Sequence, residues 1–400
     1  MESREKVRVF PVGFLWGAAT SSHQVEGGNW NDWAIWESDG HAKDMSGRAC
    51  GHWDLERFTR DADLLPRLSL NAYRMSLEWS RLMPRPHTFD AAALQHYRRM
   101  LEALKARGLT VMVTLHHFTN PLWFSRSGGW RHGRLEPFLE YVDFAVRHLD
   151  DLVDLWATIN EPMAVAIMGW LLGQWPPGRR RDVWGAVRVV SRMCRTHNRA
   201  YRLIRSLSRK PAGLVHSMIW YEAASPRRSD RLLARLADLI GNQWVLRRTR
   251  GDFIGVNYYM RECWSWDRFF PPRLVRLPPR GPVSDFGWEI SPDGLYHVLR
   301  SLRRYRLPVF VTENGIADRD DRLRGAYIRD HLRSLHQALR EGVPVRGYFH
   351  WSLLDNFEWA EGFTKRFGLV ETDFATGRRR IRTSARIYAG IAATNALEAE

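Results

Sequence analysis

Cysteine is scarce in this 400-residue sequence, which contains only Cys50, Cys194 and Cys263. Their number is odd, and no two of them stand in a C-x-x-C spacing. These features argue against a disulfide framework and against a structural zinc site. We therefore predict reduced, structural thiols in a cytoplasmic protein that binds no metal.

Long apolar segments are also missing. The first residues hold no apolar stretch of the length found in a signal peptide. No later segment reaches the roughly 18 apolar residues that a membrane-spanning helix needs. No Pro/Ser-rich linker or charge tract divides the chain. We expect one soluble, unexported domain over residues 1–400, with a short disordered polar tail at about 394–400.

Lysine is nearly absent, although the chain is strongly basic. The formal net charge is +16, and only five of the 60 basic residues are lysines. Such a charge can attract nucleic acid or anionic membrane surfaces. The arginines, however, are distributed along the chain, and the clusters at 179–181 and 378–380 are too short to act alone as binding motifs. An arginine-rich composition explains the charge equally well, and we expect no nucleic-acid partner.

Short apolar runs alternate with longer amphipathic segments along the whole chain. The runs have the continuous apolar character of strands that are covered on both faces, as in a parallel sheet. They lie at residues 14–20, 71–77, 110–116, 154–160, 212–218, 253–259, 308–313 and 345–351. Segments between them, such as 90–107 and 135–149, predict helices. The alternation predicts an α/β protein built as a single (β/α)8 barrel, with a long loop at 261–287.

Two glutamates interrupt the apolar runs at the carboxyl ends of predicted strands. Glu161 follows the fourth run and Glu313 ends the seventh. In a (β/α)8 barrel these strand ends surround the active-site cavity. A salt bridge to Arg74 would explain one buried glutamate, but two of them, each beside an asparagine, favour catalysis. Glycoside hydrolysis needs such a pair, because one carboxyl protonates the leaving oxygen and the other attacks the sugar or activates water.

Aromatic residues favour a sugar as the ligand. The chain contains 19 tryptophans, and Trp351, Glu358 and Trp359 fall within one predicted loop. An aromatic ring can cover the C–H face of a sugar, while planar polar groups bind its hydroxyls. A single tryptophan is more often a core residue than a ligand. The grouping of these three residues with Gln24 and His117 favours a binding site.

Several segments resemble the β-glucosidase family, glycoside hydrolase family 1, over about residues 14–383. In chain order they are FLWGAATSSHQVEG (14–27), YRMSLEWSRLMP (73–84), VTLHHFTNPLW (113–123), ATINEP (157–162), IGVNYY (254–259), VTENG (311–315), WSLLDNFEWAEGF (351–363) and KRFGLVETDF (365–374). Most of them lie at the strand ends predicted above. The resemblance implies a retaining β-glycosidase that forms a covalent glycosyl-enzyme and needs no cofactor.

The resemblance also implies the roles of the two glutamates. Glu313 corresponds to the nucleophile and Glu161 to the acid/base, with their carboxyls about 5–5.5 Å apart. Arg74 would lie beside Glu313 and keep it ionised. Glu161 would be protonated while Glu313 is negative, and would lose its proton more readily once that charge is consumed. The glutamate at 161 also separates this chain from the plant myrosinases, which have glutamine there.

Further positions correspond to the family's sugar-binding residues. Trp351 would be the stacking platform, Tyr259 would hold Glu313, and Asn257 would line the same wall. The expected hydroxyl partners are Gln24, His117, Asn160, Glu358 and Trp359. A carboxylate at 358 would repel a phosphate, which implies a neutral sugar.

Some positions depart from the family's pattern on the aglycone side. Phe118 follows His117, and Met163 follows the NEP motif, where tryptophan is frequent in both cases. The chain is also shorter between the fourth and seventh strands. We expect a more open entrance, lined in part by Met163 and Trp288, and an unusual leaving-group preference.

Several alternatives stay open at this point. Terminal β-D-glucosides are the expected substrates, with β-galactosides and β-fucosides also open. Transglycosylation onto glycolipids or other acceptors at a membrane surface is an alternative, because the basic, aromatic segment 261–280 could contact lipid. Packing of that segment on the barrel rim is the simpler interpretation. A non-catalytic sugar-binding protein is disfavoured because both glutamates are present, and the oligomeric state is left open.

Overall fold

Eight parallel strands form a closed barrel at the centre of the protein. The computed structural model describes residues 7–267 and 273–398. The barrel strands, numbered β1 to β8 in chain order, are Leu15–Ala19, Ala72–Ser76, Thr110–His116, Leu155–Asn160, Ala212–Ser217, Phe253–Asn257, Val309–Asn314 and Val345–Trp351. Strand β8 closes the barrel by pairing in parallel with β1. The predicted (β/α)8 barrel is confirmed, and the strand bounds agree with the prediction to within two residues.

Helices connect the strands around the outside of the barrel. The longer ones are Asp32–Ser38, Leu55–Ala62, Ala91–Lys105, Glu136–Leu149, Val183–Leu207, Arg228–Asp238, Pro292–Leu302, Arg324–Arg340 and Thr383–Thr394. Short helical turns occupy the connections: Ser22–Val25, Leu64–Arg67, Trp79–Leu82, Leu122–Arg126, Gly129–His132, Asp150–Leu152, Pro162–Ala166, Ile167–Leu172, Leu239–Gln243, Trp244–Leu246, Arg303–Tyr305 and Trp359–Glu361.

The helix Ala91–Lys105 shows how the sequence sets these elements. It begins where the Asp90 carboxylate accepts a hydrogen bond of 2.9 Å from the backbone N–H of Ala93. Its buried side chains recur at the helical spacing, and Gly108 follows in the left-handed region. The predicted helix at 90–107 is therefore confirmed, as is the one at 135–149.

Side chains fill the lower part of the barrel. Met112, Phe253, Phe310 and Phe349 belong to a buried cluster inside it. A Cβ atom at Gly17 would lie 2.5 Å from the Phe349 ring, so the absence of a side chain there makes room for the aromatic ring. Open space within the barrel is consequently left at the carboxyl ends of the strands. A second, larger core runs from Phe10 to Leu397 and favours the single-domain interpretation, which stays a prediction.

Part of the segment predicted as a loop at 261–287 is a β-hairpin instead. Strands Arg261–Asp267 and Arg273–Arg276 pair antiparallel, and Arg261–Asp267 also pairs in parallel with Trp220–Ala223. The two tryptophans in Glu262-Cys-Trp-Ser-Trp266 favour a strand, and the high content of proline and arginine obscured this signal. The pairing of Arg261–Asp267 with Trp220–Ala223 favours the simpler interpretation, in which the segment packs on the barrel rim. Phe269 and Phe270 lie outside the described residues.

The tail predicted as disordered at 394–400 is mostly ordered. Strand Ala396–Glu398 pairs antiparallel with Val7–Val9. Asn395 adopts a left-handed φ of 51°. Its side chain accepts a hydrogen bond of 2.9 Å from Trp16 Nε1 and donates one of 2.8 Å to the Phe10 carbonyl. The prediction was wrong because the partner strand lies almost the whole chain length away, and 399–400 lie outside the described residues.

A third small sheet joins Val370–Thr372 to Arg379–Ile381. Within the described ranges, no helix has the length and apolar character needed to cross a membrane.

We predict that Asn395→Ala lowers the free energy of unfolding by about 1–3 kcal/mol, because it leaves the buried Trp16 Nε1–H and the Phe10 carbonyl without partners. Urea denaturation of both proteins measures the difference. Asn395→Gly is the matched variant: it keeps the left-handed backbone and loses only the hydrogen bonds. If both variants are as stable as the wild type, the C-terminal strand does not contribute to stability.

Candidate active site

A cavity of about 220 Å³ opens at the carboxyl ends of the barrel strands. Four glutamates (Glu161, Glu313, Glu358 and Glu361), several aromatic rings and some methionines share its wall. The lining residues include His117, Phe118, Glu161, Ala164, Met168, Trp175, Met218, Ile219, Tyr259, Met260, Phe286, Trp288, Glu313, Trp351, Glu358, Trp359 and Phe367. The sequence-predicted glutamates therefore face one shared space.

Glu161 stands at the junction of β4 and the short helix Pro162–Ala166. Its φ of 47° is left-handed, a strained conformation for a residue with a side chain. Its carboxylate accepts a hydrogen bond of 2.6 Å from Asn257 Nδ2. Within the described residues it has no cation within salt-bridge distance. Burial, and next the charge of Glu313, raise the pKa of Glu161 to about 8.

Glu313 on β7 has a different environment. One carboxylate oxygen lies 2.6 Å from Arg74 Nη1, and the other accepts a hydrogen bond of 2.6 Å from the Tyr259 hydroxyl. Burial raises the pKa of Glu313, whereas the Arg74 guanidinium and the Tyr259 hydroxyl oppose that rise. The anionic form of Glu313 thus has two stabilising partners, while Glu161 has one neutral donor. The two carboxyls are suited to opposite protonation states.

A hydrogen-bonded bridge connects the surroundings of the two carboxylates. Arg74 Nη2 donates to Asn160 Oδ1 at 2.8 Å, and Asn257 Nδ2 donates to the same oxygen at 3.2 Å. Asn257 Oδ1 in turn accepts a bond of 2.7 Å from the Thr312 hydroxyl. All four residues are buried. The bridge fixes the orientation of the Asn257 amide that faces Glu161 and of the guanidinium that faces Glu313.

Glu358 lines another side of the cavity and is paired with Gln24, which is not itself among the lining residues. Gln24 Nε2 lies 3.3 Å from a Glu358 carboxylate oxygen and 2.8 Å from the Phe357 carbonyl, to which it donates. Burial and then the Glu313 charge raise the pKa of Glu358 to about 8, against a hydrogen bond from Trp351. These groups present both donors and acceptors to a polar ligand.

His117 lies in a stack of parallel rings. Its imidazole is 5.9 Å from the Trp351 ring and 6.1 Å from the Trp359 ring, at angles of 17° and 13°. Burial, together with the Arg74 charge, holds the pKa of His117 well below its usual range, so the ring is neutral. Asn160 Nδ2 lies 3.4 Å from His117 Nε2. Trp351, Trp359 and a neutral imidazole thus form one aromatic wall.

The entrance differs in part from the expectation. Trp288 lines the cavity as predicted and stacks on Phe286 at 4.2 Å. Met163 is half-buried against the main core and is not among the lining residues. Ala164 and Met168 line the cavity instead, because residues four apart share a helix face and Met163 lies on another.

Sequence reasoning missed three aromatic residues of the cavity: Trp175, Phe286 and Phe367. Trp175 packs against Phe118 at 4.7 Å and occupies space beside the position where the family's pattern usually has tryptophan. The abundance of aromatic residues was a signal of a sugar site, but it did not single out these positions. Trp33 is not among the lining residues but packs against Trp359 at 4.7 Å, and Trp30 is exposed.

The arrangement favours the catalytic interpretation of the two glutamates over a purely structural one. A structural salt bridge accounts for Glu313 and Arg74, but not for Glu161, which faces the same cavity without a cation. Within the described ranges, no group of three or more His, Cys, Asp or Glu side chains is placed to hold a metal ion. What the cavity offers is a proton donor and an anionic oxygen beside an aromatic wall.

Comparison with known proteins identifies the family. The family described as glycosyl hydrolase family 1 matches residues 6–254 and 241–397. β-Glucosidase A of Thermotoga maritima is 33% identical over 446 aligned positions, covering 98% of this chain and 99% of that protein. A β-galactosidase of Sulfolobus acidocaldarius is 32% identical, covering 98% and 96%.

A solved structure shows the same fold over its full length. The β-glycosidase from Pyrococcus horikoshii superposes with a TM-score of 0.91 at 39% identity, covering 98% of this chain and 97% of that one. These relatives are named as glycosidases and give no support to the transglycosylation alternative. The chain belongs to glycosyl hydrolase family 1 and is an O-glycosyl hydrolase.

Proposed function

We propose that this protein hydrolyses terminal, non-reducing β-D-glucosides by a retaining double displacement, with β-galactosides and β-fucosides as further substrates. The observation that carries the proposal is the pair of buried glutamates in one cavity, of which Glu313 has a cation and Glu161 has none. The names of the relatives, β-glucosidase A and β-galactosidase, support this substrate class.

In the first step, a Glu313 carboxylate oxygen attacks the anomeric carbon while the bond to the leaving oxygen breaks. Glu161 gives its proton to that oxygen, which departs as an alcohol. The raised pKa of Glu161 keeps this proton available near neutral pH. Arg74 and Tyr259 keep Glu313 anionic until it attacks, which is the state in which a carboxylate is a nucleophile.

In the second step, water replaces Glu313 on the sugar. Formation of the glycosyl ester removes the Glu313 charge, which is the second cause of the raised pKa of Glu161. The pKa of Glu161 consequently falls, and the carboxylate can accept a proton from the attacking water. Glu313 leaves as the carboxylate and regains its ion pair with Arg74.

We assign the sugar-binding roles from the same cavity. Trp351 supplies the stacking face, and the hydroxyl partners are Gln24, His117, Asn160, Glu358 and Trp359. The contacts that support this assignment are the Gln24–Glu358 pair and the ring stack around His117. Four carboxyls in one cavity disfavour a phosphorylated sugar, which supports a neutral substrate.

We further propose an open, apolar aglycone side and a cytoplasmic location. Met168, Ile219, Phe286 and Trp288 line the cavity toward its entrance and support the first point. The three cysteines are buried and unpaired, which suits a reducing compartment.

We predict that Glu313→Ala abolishes release of nitrophenol from nitrophenyl β-glucoside, with a loss on the order of 10⁴-fold or more, the scale on which loss of a nucleophile acts in other hydrolases. Steady-state kinetics on a panel of nitrophenyl β-glycosides measures the loss and ranks the sugars. Added azide should restore turnover and give an α-glycosyl azide, because it attacks from the face that Glu313 vacates. Full activity of the variant would remove Glu313 from the mechanism.

We predict an alkaline limb in the pH profile of kcat/KM, with activity falling as the pH rises through about 8, because Glu161 then loses the proton that it must donate. The pKa of Glu358 is also raised to about 8, so two variants are needed to show which glutamate causes the alkaline limb. Glu358→Gln should keep the limb. Glu161→Gln should lose it when assayed with dinitrophenyl glucoside, which needs no protonation on departure. The reverse pattern would assign the limb to Glu358.

We predict that Tyr259→Phe moves the acidic limb of the same profile to higher pH by roughly one to two pH units, because the hydroxyl that stabilises anionic Glu313 is lost. Tyr258→Phe is the matched control: the Tyr258 hydroxyl donates to the Ser291 carbonyl instead. An unchanged acidic limb in Tyr259→Phe would show that this hydrogen bond does not set the ionisation of Glu313.

A further inference from the structure

An exposed apolar stripe runs along the helix Arg228–Asp238 and the turn Leu239–Gln243. Leu232, Leu236, Leu239 and Ile240, here called the leucine stripe, follow each other at helical spacing on one face. Leu232 is 57% and Ile240 62% exposed. Single exposed leucines are ordinary, but a contiguous stripe on one helix face marks an interaction surface.

Exposed arginines flank this stripe. Arg228, Arg231 and Arg235, here called the arginine row, stand three and four residues apart and line one edge of the leucine stripe. In the described part of the chain none of the three forms an ion pair. The two acidic residues of the helix are turned elsewhere: Asp230 accepts a bond of 2.5 Å from the Ser225 hydroxyl, and Asp238 one of 2.8 Å from Asn242.

The opposite face of the helix is fixed to the protein. Asp230 lies 3.5 Å from the Ser265 hydroxyl on the small sheet, which makes Ser265 a second donor to it. Gly241 lies against the Tyr221 hydroxyl so closely that a Cβ would collide with it. The helix therefore cannot rotate to bury its leucines in the protein, and another molecule must cover them if they are to leave water.

We propose that the leucine stripe and the arginine row bind the surface of an anionic lipid bilayer. A helix in this environment inserts its apolar side chains between the headgroups, while arginines at the edge contact the lipid phosphates. Both features are present and both lack partners within the described residues.

The charge of this surface favours an anionic bilayer over two other binding partners, a second copy of the chain and nucleic acid. In a symmetric dimer through the same face with antiparallel helices, the arginine rows of the two copies would be brought close together, at a cost in repulsion. The phosphates of nucleic acid would pair with the arginines, but the phosphate backbone has no apolar surface to cover the leucines. An anionic bilayer satisfies both sets of side chains.

The surface is attached to the wall of the catalytic cavity. Strand Trp220–Ala223 begins directly after Ile219, and strand Arg261–Asp267 directly after Met260; both Ile219 and Met260 line the cavity. The helix packs on these two strands. A bilayer-bound molecule would therefore hold its cavity entrance next to the element that touches lipid.

Flotation of the full-length protein with vesicles tests the proposal. The vesicles contain phosphatidylglycerol and phosphatidylcholine in equal parts, at physiological salt, and vesicles of phosphatidylcholine alone serve for comparison. We expect the wild type to float with the mixed vesicles only. Leu232→Gln/Leu236→Gln/Ile240→Gln should weaken binding by about tenfold or more. Arg228→Gln/Arg231→Gln/Arg235→Gln should weaken it by roughly fivefold for each arginine.

Matched variants on the helix Val183–Leu207 control for net charge and for surface polarity. Val183→Gln/Val187→Gln removes exposed apolar side chains, and Arg195→Gln/Arg202→Gln removes exposed cations at another site. Both should bind vesicles like the wild type. Nitrophenyl glucoside hydrolysis without lipid should be unchanged in every variant, which confirms folding, since none of these residues lines the cavity.

Three results would overturn the proposal. One is failure of the wild type to float with the mixed vesicles. Another is an equal loss of vesicle binding in the control variants, since binding would then depend on net charge and not on this helix. The third is a dimer in sedimentation velocity that the leucine variant dissociates, because the stripe would then be covered by a second copy.

Discussion

The buried guanidinium of Arg74 holds the centre of this protein together. It extends from β2 and donates to Thr114 on β3, Asn160 on β4 and Glu313 on β7. A buried cation is stable only if it is fully paired, and removal of one partner from such a pair typically costs about 3–5 kcal/mol. The interaction that ties four strands at the mouth of the barrel is thus also the one that sets the charge of Glu313. Stability and catalysis depend on the same few atoms.

Two identical side chains acquire different chemistry from their neighbours alone. Glu313 faces a cation and a hydroxyl, whereas Glu161 faces one amide group and the charge of Glu313. In a small cavity that also contains Glu358, adding a negative charge is costly, and protons are retained where no cation compensates. The difference in pKa between the two glutamates is reversible, because the Glu313 charge that raises the pKa of Glu161 disappears when the sugar is bound covalently.

Much of the architecture follows from local patterns. The apolar runs in the sequence predicted all eight barrel strands. Both faces of each strand are covered, so a continuous apolar run can be recognised without knowing which strands lie next to it. The positions of Glu161 and Glu313 at strand ends placed them in a shared cavity for the same reason. Met163 is not among the lining residues, because the left-handed Glu161 sets the phase of the helix that follows it and turns Ala164 and Met168 to the cavity instead. Trp175, Phe286 and Phe367 come from three separate segments, and only the tertiary fold brings them to the entrance.

The C-terminal strand is an element that local sequence patterns could not predict. A short polar tail has no periodicity of its own, and its order depends on Val7–Val9 at the other end of the chain. Strand β1 likewise has β8 as one of its two neighbours, and Trp16 within β1 donates its indole N–H to Asn395. During synthesis, therefore, the first barrel strand remains an open edge until β8 has been made, and unpaired strand edges invite wrong pairing. The position of the seam means that the barrel closes only with its eighth strand, and the interval before that pairing is when the chain has most need of protection from its neighbours.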